Sequence, residues 1–184
     1  MEIDNTIILT KSCEIIMNEG FSALTIHRLA IESGLSEDLL SKQFENDEDI
    51  LQLILIDFES QIKEFVQQFA NNNEPPEIEL KLLFKRLYFL FLQKPSYLAI
   101  INNISLHDRN ASIRKSLSRI RTIAENHLSS IIKKGKMKNT FKTTVPNKTL
   151  VKKILSGFKL FMKDEQLLNN MVLELKSLKT LNTN

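Results

Sequence analysis

Side chains able to hydrogen-bond or to neutralise charge are concentrated between residues 25 and 43. Hydroxyl, amide and cationic groups of these kinds can reach phosphate oxygens and base edges in duplex DNA. Lys42 and Arg28 could neutralise phosphates, and Gln43 could pair with an adenine through two hydrogen bonds. The candidate DNA-contacting set comprises Thr25, His27, Arg28, Ser36, Glu37, Asp38, Leu39, Ser41, Lys42 and Gln43.

The residues around this set predict two short helices joined by a tight turn. Thr25 and Ser36 can each cap a helix, because a hydroxyl oxygen accepts from the free N–H groups of a first turn. Apolar residues recur at helical spacing after Thr25, and Gly34 can take the left-handed conformation that ends a helix. This pattern is a helix-turn-helix, the unit that places its second helix in the DNA major groove.

The chain resembles the TetR (tetracycline-repressor) family of bacterial transcription regulators over roughly residues 5 to 58. The segment LTIHRLAIESGLS, from Leu24 to Ser36, is similar to the family's Thr-Val, Ile-Ala and Ala-Gly-Val-Ser elements. Leu40 and Phe44 match the apolar anchors of its recognition helix. The remainder of the chain matches the family in length and in helical character.

This resemblance implies a ligand-responsive transcription regulator, a repressor in most members, that binds operator DNA as a homodimer. It implies an all-α fold of about nine helices. Residues 1–62 would form a three-helix helix-turn-helix domain, and residues 63–184 a helical bundle for ligand binding and dimerisation. Rotation of the helix between the two domains would change the separation of the two recognition helices.

Two positions depart from the family pattern, and both lose a phosphate contact. Ser41 stands where the family usually has a tyrosine, and Asp47 where it usually has a lysine. Between Glu37 and Asp49 there are six carboxylates and one cation, Lys42. Acids in a first helical turn stabilise the helix by about 0.3–1 kcal/mol each, but a carboxylate facing a phosphate opposes binding. An alternative is therefore a protein of this fold that lacks autonomous DNA affinity and acts through protein–protein contacts.

Charge is distributed unevenly along the chain. Residues 1–60 contain three cations and thirteen acids, whereas residues between Arg109 and Lys163 contain fifteen cations and one acid, Glu125. These lysines and arginines could be merely solvated helix faces, or they could form a basic surface for an acidic partner, an anionic ligand or nucleic acid. The densest cluster, KKGKMKNTFK at residues 133–142, is predicted to be an exposed loop.

Apolar periodicity predicts the remaining helices. They are expected at about residues 4–18, 47–70, 77–93, 96–105, 108–134 and 146–162, with a last helix bearing Leu168, Met171, Leu175 and Leu178. Gly135 is expected to end the helix that precedes it. The two C-terminal apolar stripes suit a homodimeric four-helix bundle, although packing within one chain would produce the same pattern.

The resemblance also implies a cavity for an unknown small apolar or amphipathic effector in the C-terminal helices. Aromatic and flexible apolar side chains are its expected lining, with nearby polar groups as hydrogen-bonding partners. The candidates are Phe84, Tyr88, Phe91, Tyr97 and Met162, with Asn103 and His107 as the polar groups.

Catalytic and metal-binding patterns are absent from the sequence. The three histidines lack paired-ligand spacing, and four glycines are too few for a phosphate-binding loop. No enzymatic activity and no cofactor is therefore expected. Cys13 falls on an apolar helix face and is predicted to be a buried structural thiol. Without a secretory signal or a bilayer-length apolar run, the protein is expected to be cytoplasmic.

Overall fold

The computed structural model describes residues 4–70 and 73–177, in which ten α-helices and two short 3₁₀ helices occur and no strand. The predicted all-α fold class is confirmed. None of these helices combines the length and the hydropathy that a bilayer crossing requires. In chain order the helices are α1 (Asn5–Glu19), 3₁₀ (Phe21–Ala23), α2 (Ile26–Ser33), α3 (Glu37–Ser41), α4 (Asp47–Ala70), α5 (Pro76–Gln93), α6 (Pro95–Asn102), 3₁₀ (Ile104–Asp108), α7 (Ala111–Met137), α8 (Asn147–Ser156), α9 (Phe158–Lys163) and α10 (Glu165–Lys176).

The chain divides into two compact units. The N-terminal unit combines residues 1–61 with residues 94–120, and the C-terminal unit combines residues 62–93 with residues 121–184. Compactness therefore groups α6 and the start of α7 with α1, α2, α3 and the first part of α4. The functional division at residue 62 stays a prediction.

Apolar side chains at helical spacing form the core of the N-terminal unit. In α1 the buried positions Ile8, Ser12 and Ile15 are four and three residues apart, as are Leu51, Leu55 and Phe58 in α4, which is the spacing that keeps side chains on one helix face. Burying a side chain of this size contributes about 1.5–3 kcal/mol relative to its exposed state. The fully buried residues include Ile8, Leu29, Leu40, Ile50, Leu51, Ile54, Leu55, Phe58, Tyr97, Leu106 and Ile113.

A polar cluster connects the first turn of α6 to α1 and α4. The Tyr97 hydroxyl donates to the Asp57 carboxylate, and Lys94 Nζ lies 3.2 Å from Asp57 Oδ2. The Ser96 hydroxyl donates to Cys13 Sγ at 3.2 Å. Burial raises the pKa of the Cys13 thiol, and burial together with Asp57 raises the pKa of Tyr97. Cys13 is half-buried and serves as a structural acceptor here.

The core of the C-terminal unit is formed by apolar residues of α4, α5, α7, α8 and α10. The stripes predicted for a dimer seam lie in this core, so they are buried within a single chain. Intramolecular packing therefore accounts for the pattern, as the alternative interpretation allowed. The buried stripe residues are Leu150, Val151, Ile154, Leu168, Met171 and Leu175, whereas Leu178 lies outside the described residues.

The prediction that Gly135 ends a helix was wrong, and so was the first half of the predicted loop, because residues 133–137 are helical and only residues 138–142 lie outside the helix. α7 continues to Met137, and Phe141 is buried with its ring against Gly135. The Gly135 carbonyl accepts from the Phe141 N–H at 3.0 Å, so the chain folds back over the end of α7. Position 135 requires glycine because the Phe141 ring occupies the space that a side chain would fill. The residues next to Gly135 in the sequence do not reveal this contact.

Other helix boundaries also differ from those predicted. The expected helix at residues 146–162 is divided at Gly157 into α8 and α9, which gives ten α-helices rather than about nine. The expected helix at residues 96–105 ends at Asn102, and a 3₁₀ helix follows. α7 begins at Ala111, three residues later than predicted.

We expect Gly135→Ala to lower the free energy of unfolding by about 1–3 kcal/mol, as overpacking in a core does. A Cβ at this position would lie 2.0 Å from Phe141 Cδ2, so the ring must move. Urea denaturation followed by circular dichroism measures the change. Lys133→Ala, at an exposed site in the same helix, is the control. Replacing Phe141 with leucine should relieve part of the penalty in the double variant, and equal penalties in both backgrounds would contradict the explanation.

Candidate nucleic-acid interface

α2, the turn at Gly34 and α3 form the helix-turn-helix as predicted. The Thr25 hydroxyl accepts from the Arg28 N–H at 3.0 Å and caps α2. Gly34 has the left-handed conformation, with φ 70° and ψ 16°, so the chain can turn sharply between the helices. The Ser36 hydroxyl accepts from the Leu39 N–H at 3.3 Å and caps α3.

The outer face of α3 is exposed to solvent. α3 covers Glu37–Ser41, and its anchor Leu40 is fully buried, so the opposite side must point outward. Leu39 of the candidate set is half-buried and supports the helix rather than standing free. The exposed members of the set are His27, Ser36, Glu37, Asp38, Ser41, Lys42 and Gln43.

Arg28 and His27 of the helix-turn-helix are held by carboxylates of the same unit. Arg28 forms ion pairs with Glu19 at 2.7 Å and with Glu32 at 2.8 Å. The hydrogen bond from Arg28 to Glu19 raises the pKa of Arg28, so the guanidinium stays charged. His27 Nδ1 is hydrogen-bonded to the Glu37 carboxylate. These side chains would have to exchange a carboxylate for a phosphate before they could contact DNA.

Two further cations of the N-terminal unit, Lys11 and Lys42, and the amide of Gln43 have different surroundings. Lys11 pairs with Glu14 at 2.8 Å, and Gln43 Nε2 donates to Asn5 Oδ1 at 2.8 Å. Lys42 is exposed and has neither an ion pair nor a side-chain hydrogen bond among residues 4–70 and 73–177. In the described part of the candidate surface, Lys42 is therefore the cation best able to meet a phosphate.

Two acids at the start of α4 hold the helix-turn-helix together. Asp47 Oδ1 accepts from the Ile26 N–H at 2.7 Å, so an acid of α4 satisfies the first turn of α2. Asp49 Oδ2 accepts from the Glu45 N–H at 2.8 Å and from the Asn46 N–H at 3.2 Å. The contact between Asp47 and Ile26 could not be found from local sequence, because 21 residues separate the partners.

Two further acids are also engaged. Glu48 accepts from the Asn110 amide, and Glu37 bonds His27. Asp38 and Glu45 are exposed, and their carboxylates have no such bond within the described ranges. Four of the six acids are therefore structural, and two present bare negative charge beside the outer face of α3.

Four candidate ligand-binding residues lie in the C-terminal unit, where α5 packs on α9. The ring centroids of Phe84 and Phe161 are 5.6 Å apart in an edge-on arrangement, and Phe91 packs on Phe158 at 6.4 Å. Met162 packs against the same core, and Tyr88 is half-buried. The three remaining candidates belong to the N-terminal unit.

Those three candidates have surroundings of their own. Tyr97 is fully buried and stacks on Phe58 with ring centroids 4.2 Å apart. Asn103 Oδ1 accepts from the Ser105 N–H at 3.1 Å and from its hydroxyl at 2.6 Å. His107 is exposed. Tyr97 and Asn103 therefore stabilise the N-terminal unit, and a binding role for any of the seven stays a prediction.

Sequence reasoning gave no role to His127, one of three residues in the described part of the C-terminal unit with a buried polar atom that lacks a hydrogen-bond partner, the others being Glu77 and Asn169. His127 Nε2 is buried and has no hydrogen-bond partner in the described residues, and its ring lies 5.4 Å from that of Phe69. Burial lowers the pKa of His127, so the imidazole is neutral at pH 7. No group of three or more His, Cys, Asp or Glu side chains within residues 4–70 and 73–177 is arranged to hold a metal ion.

A cavity of about 280 Å³ also lies in the C-terminal unit, between α8, α9 and α10. None of the seven predicted ligand-binding residues lines it. Its walls are Thr143, Leu150, Lys153, Ile154, Phe161, Leu167, Asn170, Met171, Glu174 and Leu175.

We expect Asp47→Ala to lower the free energy of unfolding by about 1–2 kcal/mol, because the Ile26 N–H loses its acceptor and α4 loses a first-turn acid. Glu45→Ala removes an unbonded acid two residues away and should stay within about 0.5 kcal/mol. Urea denaturation of both variants measures the difference. Equal losses would mean that the cap between α4 and α2 does not stabilise the fold.

The sequence matches no protein-family model and no curated protein. Solved structures are similar over nearly the whole chain. The TetR-family regulator PfmR from Thermus thermophilus has a TM-score of 0.76 at 17% identity, covering 94% of this chain and 99% of that one.

Two further regulators are similar to the same extent. FadR from Bacillus subtilis, solved in complex with stearoyl-CoA, has a TM-score of 0.73 at 19% identity, covering 96% of this chain and 100% of that one. The ketosteroid regulator KstR2 of Mycobacterium tuberculosis has a TM-score of 0.76 at 12% identity, covering 96% of this chain and 97% of that one. At these identities the likeness establishes the fold: the chain has the all-α fold of the TetR-family transcription regulators.

Proposed function

We propose that this protein is a ligand-responsive transcription regulator that binds operator DNA as a homodimer. We expect it to act as a repressor. The observation that carries the proposal is the capped helix-turn-helix with its left-handed turn at Gly34, which leaves the outer face of α3 exposed. It occurs within a fold shared with regulators of transcription.

The proposed DNA contacts follow from which side chains are free to move. Lys42 would neutralise a phosphate, and the hydroxyl of Ser41 would donate to a neighbouring phosphate or base. Gln43 would leave Asn5 to reach an adenine, and Arg28 would exchange a carboxylate partner for a phosphate. Each exchange costs an existing bond, so we expect modest affinity with a shallow salt dependence.

The proposed effector is a small molecule with a large apolar part. FadR was solved with stearoyl-CoA, and KstR2 is described as a ketosteroid regulator. In this chain Phe84, Phe91 and Met162 would have to separate from the C-terminal core, where they are now packed, to contact the effector. His127 offers a buried imidazole nitrogen without a partner in the described residues, which a polar group of the effector could satisfy.

The proposed dimer contact uses side chains left over from the intramolecular core. Leu160, Leu167 and Leu173 on α9 and α10 are 60%, 39% and 63% exposed. Apolar groups on adjacent helices are suited to a helix–helix contact with a second copy. The buried stripes of α8 and α10 would then support this contact from within each chain.

A specific observation favours a second candidate function, in which the fold acts through other proteins and lacks autonomous DNA affinity. Arg28 and His27 are held by carboxylates, while Asp38 and Glu45 are bare acids beside α3. A duplex approaching this surface would meet repulsion, and among the described cations of the helix-turn-helix only Lys42 is free to offset it.

We expect Lys42→Ala to weaken binding to DNA from the region upstream of the protein's own gene. The slope of log affinity against log salt should become shallower by about one unit, because each neutralised phosphate contributes about 0.9. Fluorescence anisotropy across a salt series measures both quantities. Lys85→Ala, an exposed lysine of α5, is the control and should leave them unchanged. An unchanged slope in Lys42→Ala would remove this side chain from the contact.

The second candidate predicts that DNA affinity appears when the bare acids are replaced. We expect the double variant Asp38→Asn/Glu45→Gln to gain weak affinity, and Asp38→Lys/Glu45→Lys to gain more, with a slope steeper by about two units. Both sites lack structural bonds in the described residues, so the fold should persist, which thermal melting verifies. Strong binding by the parent protein, with no gain in either variant, would reject the second candidate.

A further inference from the structure

Four lysines on α8 and α9 form an exposed basic surface, here called the lysine face: Lys148, Lys152, Lys159 and Lys163. All four are exposed, and their ammonium groups have no ion pair or hydrogen bond within residues 4–70 and 73–177. Residues 147–163 contain no acid at all. The lysine face is therefore a surface of uncompensated positive charge.

Its arrangement has a physical cost. Lys148 and Lys152 are one turn apart on α8, and Lys159 and Lys163 are one turn apart on α9, and like charges at this spacing repel. An anionic partner would remove the repulsion on the lysine face.

Three other lysines of the C-terminal unit, Lys134, Lys153 and Lys176, are compensated within the chain. Lys134 pairs with Glu79 at 2.8 Å, and Lys153 pairs with Glu174 at 3.7 Å. Lys176 lies 3.5 Å from Glu77. The lysine face differs from these positions because its partners must come from outside the described residues.

The chain carries its own complementary surface. Residues of the N-terminal unit contain eight cations and fourteen acids, and those of the C-terminal unit contain seventeen cations and eight acids, so the net charges are −6 and +9. Around α3, Asp38 and Glu45 are exposed and unbonded in the described part of the chain. This helix-turn-helix surface, with Asp38 and Glu45 as its bare acids, is called the acidic face below.

The chemistry of the lysine face favours a protein partner over nucleic acid. It contains no arginine, so its charges are separate ammonium groups rather than planar forks that bind a phosphate or a carboxylate through two hydrogen bonds. The aromatic rings of the same helices, Phe158 and Phe161, pack on α5 and are not free to stack on bases. A row of ammonium groups instead suits a surface of several carboxylates.

We propose that the lysine face of one copy docks on the acidic face of a second copy. Such a contact joins two different surfaces, so it leaves one of each free and can extend beyond a dimer. It would cover the outer face of α3. DNA would then compete with a second copy for that face, a consequence that rests on the proposed function, whereas the docking itself does not.

The dependence of association on salt concentration distinguishes this contact from the proposed symmetric dimer. Screening weakens attraction between exposed opposite charges, and the Debye length falls from about 30 Å at 0.01 M salt to about 8 Å at 0.15 M. A symmetric contact between two C-terminal units joins like net charges, so added salt should favour it. Docking of the lysine face should weaken with salt.

The test is a charge exchange between the two faces, followed by sedimentation velocity at low and at physiological salt. The wild-type protein should form species larger than a dimer at low salt and lose them as salt is added. The lysine-face variant Lys152→Glu/Lys159→Glu and the acidic-face variant Asp38→Lys/Glu45→Lys should each lose these species. An equimolar mixture of the two variants should regain association, because each reversed face meets its complement.

The control is Lys85→Glu/Lys133→Glu, which changes net charge equally at exposed lysines outside the lysine face and should still associate. Circular dichroism verifies that each variant is folded. Absence of large species from the wild type at low salt would overturn the proposal, and so would failure of the mixture of folded variants to associate.

Two DNA-binding outcomes distinguish this proposal from the proposed function. One outcome is that the wild-type protein does not self-associate and that only the lysine-face variant loses binding to an unrelated DNA duplex. This outcome would assign the lysine face to nucleic acid and overturn the docking. DNA binding by the wild type without self-association would also overturn the docking, and it would leave the proposed function standing.

Discussion

A carboxylate at the start of α4 completes the start of α2, and the geometry of the helix-turn-helix depends on it. The first N–H groups of any helix lack partners within the helix, so a side-chain acceptor at that end stabilises it. Asp47 Oδ1 meets the Ile26 N–H at 2.7 Å and so fixes α4 against α2. α3 lies between these helices in the chain, with Leu40 buried beneath it, so its outer face can present only the side chains that this frame leaves exposed.

The sequence predicted the backbone conformation correctly where neighbouring residues determine it. It did not where a contact with a more distant residue determines it. Thr25, Gly34 and Ser36 act within a few residues of their own positions, so composition and spacing predicted their conformations correctly. Gly135 has the same residue type as Gly34 and the opposite role. It continues a helix because the Phe141 ring occupies the space of a side chain, a contact that no helix-ending rule contains.

The ligand-binding and dimer predictions share a different difficulty. An apolar stripe satisfies a core, a cavity or a dimer seam equally well, because all three remove the same surface from water. Leu150 and Met171 are buried in a single chain, so the stripe itself does not identify a dimer. Tyr97, a predicted cavity residue, stacks on Phe58, which suits a core position equally well. His127 escaped notice because a lone histidine carries no pattern, and its unmet nitrogen is visible only once its surroundings are known.

The acids of the N-terminal unit favour folding but oppose DNA binding. A carboxylate that caps a helix or holds Arg28 stabilises the fold, and the same charge raises the cost of approaching a phosphate. Because Asp47 and Asp49 are bonded to backbone donors, the chain cannot exchange them for lysines without loosening the turn before α4. Asp38 and Glu45 carry no such bond among the described residues, so they contribute less to stability, Asp38 only as a first-turn acid of α3. Their charge therefore bears on what α3 meets, whether that is a duplex or a basic protein surface.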